Sequence, residues 1–245
     1  MASFLQRIFP PRISLVHATR GRPQQARECR QNWLSAAHRP SRVEHIFAVD
    51  SDDPASIAQL SDLRPHLVTP SGGGCVAAWN LAAEQATGKI LVQLSDDWLP
   101  LPGWDDILVD RIRKVNQPLV LRISDGHRKD DLFCMAILTK ARMKQQGWFL
   151  PPAYTGIYSD DEFSFRAFED GVIVDARDVA FTHCHPNYDD SVPMDETYQR
   201  QNANAKYAEA KAIFLERNPG AKKRWFVKDH WERRWIPSAK KPTRA

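Results

Sequence analysis

The sequence predicts an α/β protein in which helices flank a central, mostly parallel sheet. Three observations favour this class. Apolar runs of strand length alternate with helix-like runs through the first half of the chain, which is the pattern of βαβ units. A glycine turn, a small-residue helix and an apolar strand follow one another from Ser71 to Trp98, and two adjacent carboxylates end that strand. The 245 residues are 42% hydrophobic and 26% charged, so one large domain can bury an ordinary core.

The first half of the chain predicts alternating strands and helices. Apolar runs predict strands at 13–17, 45–50, 66–68 and 90–94. The helical spacing of Ala26, Cys29 and Trp33 predicts the first helix, which Pro40 ends. Further helices are predicted at 54–60, 76–86 and 104–112.

The second half predicts shorter elements followed by a long polar helix. Strands are expected at 119–123, 132–138, 172–174 and 179–182, and helices at 140–146, 164–169 and 196–217. We divide the chain into an N-terminal extension (1–11), a main domain (12–217) with halves at 12–98 and 99–217, and a basic, tryptophan-rich tail (218–245).

Charge and cysteine usage indicate a soluble, cytoplasmic protein. The formal net charge is +4 and the isoelectric point about 8.9, with the basic excess concentrated in the tail. The four cysteines are widely spaced and include no CxxC pair, which favours free thiols in a reducing compartment. No apolar run approaches the roughly 20 residues of a membrane span. The apolar residues of the N-terminal extension leave peripheral membrane contact open, and nothing indicates an oligomeric state.

The tail interleaves Trp225, Trp231 and Trp235 with cations. This pattern is typical of segments that bind anionic partners such as nucleic acid or a membrane surface. The alternative is a helix that buttresses the domain and is followed by a solvated tail.

Carboxylates follow two of the predicted strands. Asp96 and Asp97 come directly after the strand at 90–94, and Asp50 ends the strand at 45–50. In open α/β sheets, ligands bind beyond the carboxyl ends of the strands, so these side chains are expected to face a substrate or a metal. The alternative is that the acids only shape the turns that follow, since DSDDP is ordinary turn composition.

The order of these features resembles GT-A fold glycosyltransferases, and most closely glycosyltransferase family 2, over roughly residues 12–217. The matching segments are HATRGRP, FAVDSDDP and the run from Ser71 to Trp98, which ends in a DxD-type triplet whose first Asp is replaced by Ser95. The resemblance implies a nucleotide-sugar donor, UDP-linked, held in the half at 12–98, and a divalent metal, Mn²⁺ or Mg²⁺, bound by Asp97. The half at 99–217 would hold the acceptor. The residues that it implies for donor binding are Thr19, Arg20, Asp50, Gly73, Asn80, Ser95 and Asp96.

A second acidic cluster, at 159–163, follows a loop rich in glycine, proline and aromatic residues. The resemblance places the general base of an inverting transferase here, with Asp160 as the first candidate and Asp161 as the alternative. A carboxylate within hydrogen-bond reach of the acceptor can take its proton. The acids are also explained by the helix dipole alone, because negative side chains stabilise a helix N-terminus.

His183 and His185 form an HxH pair after the last predicted strand, and alternate residues of an extended segment point to the same side. The resemblance implies that one of them binds the metal or the diphosphate. Two ordinary loop histidines are the alternative.

The sequence therefore predicts a metal-dependent, inverting glycosyltransferase whose acceptor is unknown. One alternative is a non-catalytic nucleotide-binding or glycan-binding domain of the same fold, since a fold does not guarantee activity. Another is a transferase that acts on modified bases of nucleic acid.

Overall fold

The computed structural model describes residues 12–63, 66–201, 204–226 and 232–237. The N-terminal extension at 1–11 and Trp231 lie outside these ranges. The strands are β1 (Ile13–Thr19), β2 (Val43–Asp50), β3 (His66–Thr69), β4 (Ile90–Leu94), β5 (Trp98–Leu99), β6 (Val120–Ser124), β7 (Ile137–Thr139), β8 (Ile173–Ala180) and β9 (Thr182–His183). The helices are α1 (Pro23–Ala36), α2 (Pro54–Gln59), α3 (Gly74–Gln85), α4 (Trp104–Arg111), α5 (Lys140–Gln146), α6 (Ser159–Asp170), α7 (Glu196–Gln201), α8 (Asn204–Arg217) and α9 (Ala221–Arg224).

Seven strands form the central sheet in the order β3-β2-β1-β4-β7-β6-β8. Neighbours pair in parallel except for β7, which is antiparallel to both β4 and β6. Strands β4 and β6 therefore run in the same direction, and the carboxyl ends of β1, β2, β4 and β6 meet at one edge. A separate two-stranded sheet pairs β5 with β9 above that edge. The predicted fold class is confirmed.

Apolar side chains cover both faces of the sheet. Helix α3 packs its small residues and the ring of Trp79 on one face, together with aromatic residues of α6. On the other face, the fully buried Trp33 and Trp104 are joined by a hydrogen bond of 2.8 Å from the Trp104 indole N–H to the Trp33 carbonyl. The Trp33 indole N–H donates in turn to the Trp98 carbonyl at 2.9 Å. The core on this face thus extends to Trp98 in β5.

Several predicted elements have different bounds in the structure. The strand predicted at 132–138 is wrong over most of its length, because only Ile137–Thr139 forms strand. Backbone N–H groups before it bond to side chains instead of a neighbouring strand: Phe133 donates to Ser164 Oγ and Ala136 to Gln93 Oε1. The strand predicted at 172–174 and the first half of the one predicted at 179–182 form one strand, β8, which continues through residues 175–178 and pairs with β6 across an irregularity in register, whereas Thr182 belongs to β9.

The helix predicted at 164–169 begins earlier, at Ser159, so the acidic cluster occupies its first turn. The residue before the helix, Tyr158, has a positive φ of 68°, which among the described residues is otherwise found at glycines. The helix starts from this turn. The long helix predicted at 196–217 is described as α7 and α8, on either side of residues 202–203, which lie outside the described ranges.

None of the helices within the described ranges has the length and apolar character needed to cross a bilayer. The cysteines at positions 29, 75, 134 and 184 are free thiols.

Candidate functional site

The predicted donor residues on β1 and β2 come together at the carboxyl edge of the sheet. The Arg20 guanidinium donates to Asp50 Oδ2 at 2.9 Å and also pairs with the exposed Asp52. The other Asp50 oxygen accepts from the Thr69 hydroxyl at 3.0 Å. Asp50 is therefore fixed by both neighbouring strands, with its partner Arg20 partly exposed at the surface of the cleft.

Asp96 points into the protein rather than into the cleft. Its Oδ1 lies 2.9 Å from His17 Nε2, and its Oδ2 accepts from the Thr19 hydroxyl at 3.0 Å. His17 Nδ1 lies 3.1 Å from Nε2 of the buried His45, so a chain of imidazoles connects Asp96 to the interior of β2. Burial lowers the pKa of His45, and His17 adds to this effect, so the His45 ring is neutral.

Asp97 has different partners from Asp96 and is held by three neighbours. Its Oδ1 accepts from the Ser95 hydroxyl at 2.8 Å, and its Oδ2 accepts from the Tyr198 hydroxyl at 3.0 Å. His183 Nε2 lies 3.4 Å from the same Oδ2. Burial raises the pKa of Asp97, but the hydrogen bond and charge of His183, with the hydroxyls of Ser95 and Tyr198, outweigh burial and hold the pKa well below its ordinary value. Asp97 is thus an ionised carboxylate at any neutral pH.

His183 is fixed by backbone pairing and by stacking. Strand β9 pairs Trp98 with His183, and the two rings stack in parallel with centroids 4.2 Å apart. The next residue, Cys184, donates its backbone N–H to the Asp97 carbonyl at 2.8 Å. The imidazole is thereby held beside the Asp97 carboxylate, and its Nδ1 is buried with no hydrogen-bond partner among the described residues.

His185 lies on the same side as His183, with ring centroids 5.2 Å apart, as the HxH spacing predicts. Its Nδ1 accepts from the backbone N–H of Asn187 at 3.1 Å, and its ring packs edge-on against Tyr198. Burial lowers the pKa of His185 to about 4, and the neighbouring His183 contributes. The ring is therefore neutral, as a metal ligand must be.

The donor set of this cleft fits a hard divalent cation that is shared with a phosphate ligand. Asp97 supplies an ionised carboxylate and His183 an imidazole nitrogen on the same side. In the described part of the chain, no group of three or more His, Cys, Asp or Glu side chains is arranged to hold a metal ion. A carboxylate with an imidazole beside it would leave the other positions of a divalent cation to water or substrate oxygens.

The two predicted base candidates differ sharply in their surroundings. Asp161 is buried and accepts from the Trp225 indole N–H at 2.7 Å and from Arg233 Nε at 2.8 Å. Asp160 is partly exposed, and among the described residues the hydrogen bond to its carboxylate comes from the Asp161 backbone N–H to Oδ1 at 3.0 Å. Burial, with the charge of Asp161, raises the pKa of Asp160 to about 6. Such a pKa is suited to a general base at neutral pH.

A cavity of about 680 Å³ lies beside Trp98, where β6 ends at the same edge of the sheet. Its wall includes arginines that are already paired with carboxylates: Arg122 with Asp131 at 2.6 Å, and Arg128 with Asp130. Asp125 also lines this cavity and accepts the His183 backbone N–H through its carbonyl at 3.3 Å. The cavity therefore adjoins the Asp97–His183 pair.

Comparison with solved structures finds the same architecture in glycosyltransferases. The chain matches residues 1–349 of TarS from S. aureus with a TM-score of 0.56 and 16% identity, covering 86% of this chain and 72% of that one. Glucosyl-3-phosphoglycerate synthase from M. tuberculosis matches with a TM-score of 0.59 and 14% identity, covering 98% and 92%. This chain has a GT-A fold. The mannosyltransferase PcManGT from Pyrobaculum calidifontis, solved with GDP-Man and Mn²⁺, shares the GT-A fold at a TM-score of 0.55 and 16% identity, over 87% of this chain and 76% of that one.

No family model matches the sequence, and no curated protein matches it either. The match to solved structures therefore rests on the arrangement of the elements, at 14–16% sequence identity.

Three residues of this GT-A cleft were not selected from the sequence, although His17 and Trp98 stand at the ends of matching segments. His17 lies within an apolar strand, and its polar partners come from other strands. Tyr198 belongs to α7, a polar helix without a motif. The Arg22 guanidinium carbon lies over its ring, 3.9 Å from the ring centroid. Trp98 is the last residue of the predicted motif, but its stacking on His183 depends on the pairing of β5 with β9. An apolar strand that contains a histidine was the one available clue.

Gly73 and Asn80, both predicted to bind the donor, lie at the start and in the middle of α3. Gly73 is the residue before the helix, with ordinary φ (−74°). Its neighbour Gly74 has positive φ, and a side chain there would overlap the Thr155 carbonyl oxygen, so glycine is required at that position. The Asn80 carboxamide accepts from the backbone N–H groups of Phe149 and Leu150 and donates to the Leu150 carbonyl at 2.8 Å.

Because its whole carboxamide is engaged by this loop, we expect Asn80→Ala to destabilise the protein more than it weakens nucleotide binding. Leaving buried backbone N–H groups unsatisfied costs about 1–3 kcal/mol. Urea unfolding should show a loss of that size, whereas the nucleotide Kd of the folded fraction should stay within a few-fold. Asn116→Ala, at an exposed loop position, is the control. A large rise in Kd without loss of stability would assign Asn80 to the donor site instead.

Proposed function

We propose that this chain is a metal-dependent glycosyltransferase that moves a sugar from a nucleotide-sugar donor to a hydroxyl acceptor. The GT-A fold supports this proposal. Solved proteins of this fold have been captured with UDP-GlcNAc, with GDP-Man and Mn²⁺, and with UDP-Glc and Mn²⁺. We favour a UDP-linked donor and assign the chain to a family 2-like group, because the strand-end acids follow that pattern and the triplet departs from it at Ser95 alone.

The observation that carries the proposal is the Asp97–His183 pair at the carboxyl end of β4. Asp97 is held ionised in the cleft, and His183 lies 3.4 Å from it. These two residues would hold the cation, while Ser95 and Tyr198 orient the carboxylate. When bound, a divalent cation supplies the positive charge that stabilises a leaving diphosphate. Asp50, with Arg20, lies along the same edge and would bind the base or ribose, since a carboxylate accepts from hydroxyl and ring N–H groups.

Asp160 is the base that we propose for the transfer. As the acceptor oxygen attacks the anomeric carbon, Asp160 Oδ2 takes the hydroxyl proton while the bond between that carbon and the diphosphate oxygen breaks. A single displacement of this kind inverts the anomeric configuration. The acceptor would enter through the cavity beside Trp98, which adjoins the Asp97–His183 pair.

A thermal-shift panel tests the donor class. The purified chain is heated with UDP, GDP, CDP or dTDP, each in Mn²⁺, in Mg²⁺ and in EDTA. We expect UDP with Mn²⁺ or Mg²⁺ to raise the Tm, because a ligand that binds only the native state stabilises it by mass action. EDTA should abolish the shift, because it removes the cation that Asp97 and His183 would hold beside the diphosphate.

The absence of a shift with every nucleotide would overturn the donor-site proposal. A shift that persists in EDTA would instead favour the second candidate function, a nucleotide-binding domain without transferase activity. One observation favours that candidate: of the Ser95–Asp96–Asp97 triplet, Asp96 is turned inward to His17 and Thr19, so Asp97 is the carboxylate of the triplet that faces the cleft.

The tryptophans that suggested a nucleic-acid acceptor are partly accounted for by packing. Trp225 is fully buried, and Trp235 stacks on Phe168 with centroids 5.5 Å apart. These two rings buttress α6, so they are not a stacking surface for bases.

A further inference from the structure

We propose that Trp225 and Arg233 are positioning residues that hold Asp161 in an ion pair. Asp160 is then left as the carboxylate that acts on the acceptor. Arg233 belongs to the C-terminal segment, residues 232–237, and Trp225 directly follows α9. This inference rests on the proposed function for its catalytic meaning, but its geometric part can be tested without turnover. The sequence left Asp160 and Asp161 as alternatives, and the C-terminal segment distinguishes them.

The C-terminal segment is joined to the domain by backbone hydrogen bonds on both sides of Arg233. The Arg233 N–H donates to Asp130 Oδ2 at 3.0 Å, and its carbonyl accepts from the Asp131 N–H at 2.8 Å. The Trp235 N–H donates to Asp131 Oδ2 at 2.7 Å, and the Arg234 N–H donates to the Trp225 carbonyl at 3.0 Å. The segment therefore lies between the β6–β7 connection and the chain just after α9, with Arg233 directed at the start of α6.

Three donors from Trp225 and Arg233 occupy Asp161. Its Oδ1 accepts from the Trp225 indole at 2.7 Å and from Arg233 Nε at 2.8 Å, and its Oδ2 accepts from Arg233 Nη2 at 3.2 Å. The Arg233 and Asp161 side chains are only 6% and 4% exposed. A buried carboxylate with these partners keeps one orientation, because breaking such a pair leaves an uncompensated charge inside the protein.

Asp160 is left with a different environment. Its Oδ1 accepts from the Asp161 backbone N–H, and no described residue donates to its Oδ2. The charged and titratable groups that act on it are Asp161 and Tyr158 at the start of α6, Arg233 from the C-terminal segment, Arg128 and Cys134 from the β6–β7 connection, Tyr207 from α8 and Cys75 from α3. Asp161 raises the pKa of Asp160, whereas Arg233 and Arg128 lower it.

Two substitutions should therefore shift the pKa of Asp160 in opposite directions. Arg233→Gln removes a nearby cation, so we expect the pKa of Asp160 to rise by about one unit, the lower end of the effect of an opposite charge. Asp161→Asn removes the neighbouring negative charge and leaves the cation in place, so we expect a fall. Arg233→Lys keeps the charge and should restore most of the wild-type value. Arg234→Gln is the matched control, because Arg234 pairs with Glu232 near the surface.

The measurement is a carbon-13 NMR titration of aspartate carboxyl groups, with the Asp160 signal assigned by its absence in Asp160→Asn. Circular dichroism confirms that each variant is folded. The pH profile of UDP release from UDP-glucose with Mn²⁺ is then recorded, and its acidic limb should move with the titration. If the role of Arg233 were only structural, its substitution would lower activity equally at every pH.

The outcomes separate the two proposals. An Asp160 titration that does not respond to either substitution in folded variants overturns the positioning role. Opposite shifts without any UDP release from the wild-type protein support the positioning geometry and count against the proposed transferase function. If the pKa of Asp160 shifts but the acidic limb of the pH profile of UDP release stays in place, the ionisation of Asp160 does not limit the rate.

Discussion

Replacement of Asp160 by asparagine is expected to lower the transfer rate by about 10²–10⁴-fold, the usual contribution of a general base. Asparagine keeps the size of the side chain but cannot accept the acceptor proton. Because the pKa of Asp160 is raised to about 6, the wild-type carboxylate is ionised above that pH, and the wild-type rate should fall as the pH drops through it. The measurement is release of nucleoside diphosphate as a function of pH, and the variant should lack this acidic limb.

The control for this substitution lies on the same helix. Glu169→Gln removes an exposed charge from the far end of α6, where Glu169 pairs with Arg224, and it should leave the rate unchanged. Nucleotide affinity should be unaffected in both variants, because the base is not needed for donor binding. A folded Asp160→Asn protein with the wild-type rate would show that another group takes the proton.

Replacement of Asp97 by asparagine is expected to abolish metal-dependent nucleotide binding. Asparagine can still accept from the Ser95 hydroxyl through its one oxygen, and its amide N–H can donate to the Tyr198 hydroxyl, so the fold should persist, but the negative charge beside His183 is lost. A ligand at 100 times its Kd adds about 2.7 kcal/mol to the free energy of unfolding. That gain corresponds to a rise in Tm of roughly 5–10 °C for a chain of this size. Thermal unfolding with nucleotide and Mn²⁺ should show this rise in the wild type and not in the variant.

Asp178→Asn serves as the comparison, since Asp178 is an exposed carboxylate on β8 that pairs with Arg111. It should retain the full thermal shift. If Asp97→Asn also retains the shift in Mn²⁺ and loses it in EDTA, the cation is held elsewhere in the cleft.

The sequence predicted the architecture because its local signals agree with the fold. The apolar run at 90–94 and the helix at 140–146 have the predicted bounds, since each is set by residues within it or directly beside it. The prediction of a strand at 132–138 was wrong because its structure depends on distant residues. Its apolar composition suits a strand, but backbone N–H groups there donate to the side chains of Ser164 and Gln93. Composition cannot reveal such partners.

The same distinction applies to the candidate site. Asp97 and Asp160 could be selected because each stands at the end or start of a recognisable element. The different surroundings of Asp160 and Asp161 could not be predicted, because the partners of Asp161, Trp225 and Arg233, lie 64 and 72 residues further along the chain. Tyr198 was missed for the same reason, as it lies 101 residues from Asp97.

These long separations also bear on how the protein reaches its working state. The pairings of β1 with β2 and of α3 with the sheet involve nearer segments, whereas Arg22 meets Asp195 across 173 residues. Contacts that close such large loops carry the greater entropic cost and form when the intervening chain is already compact. We therefore expect the cleft to form late in folding, because its contacts join segments from both ends of the domain.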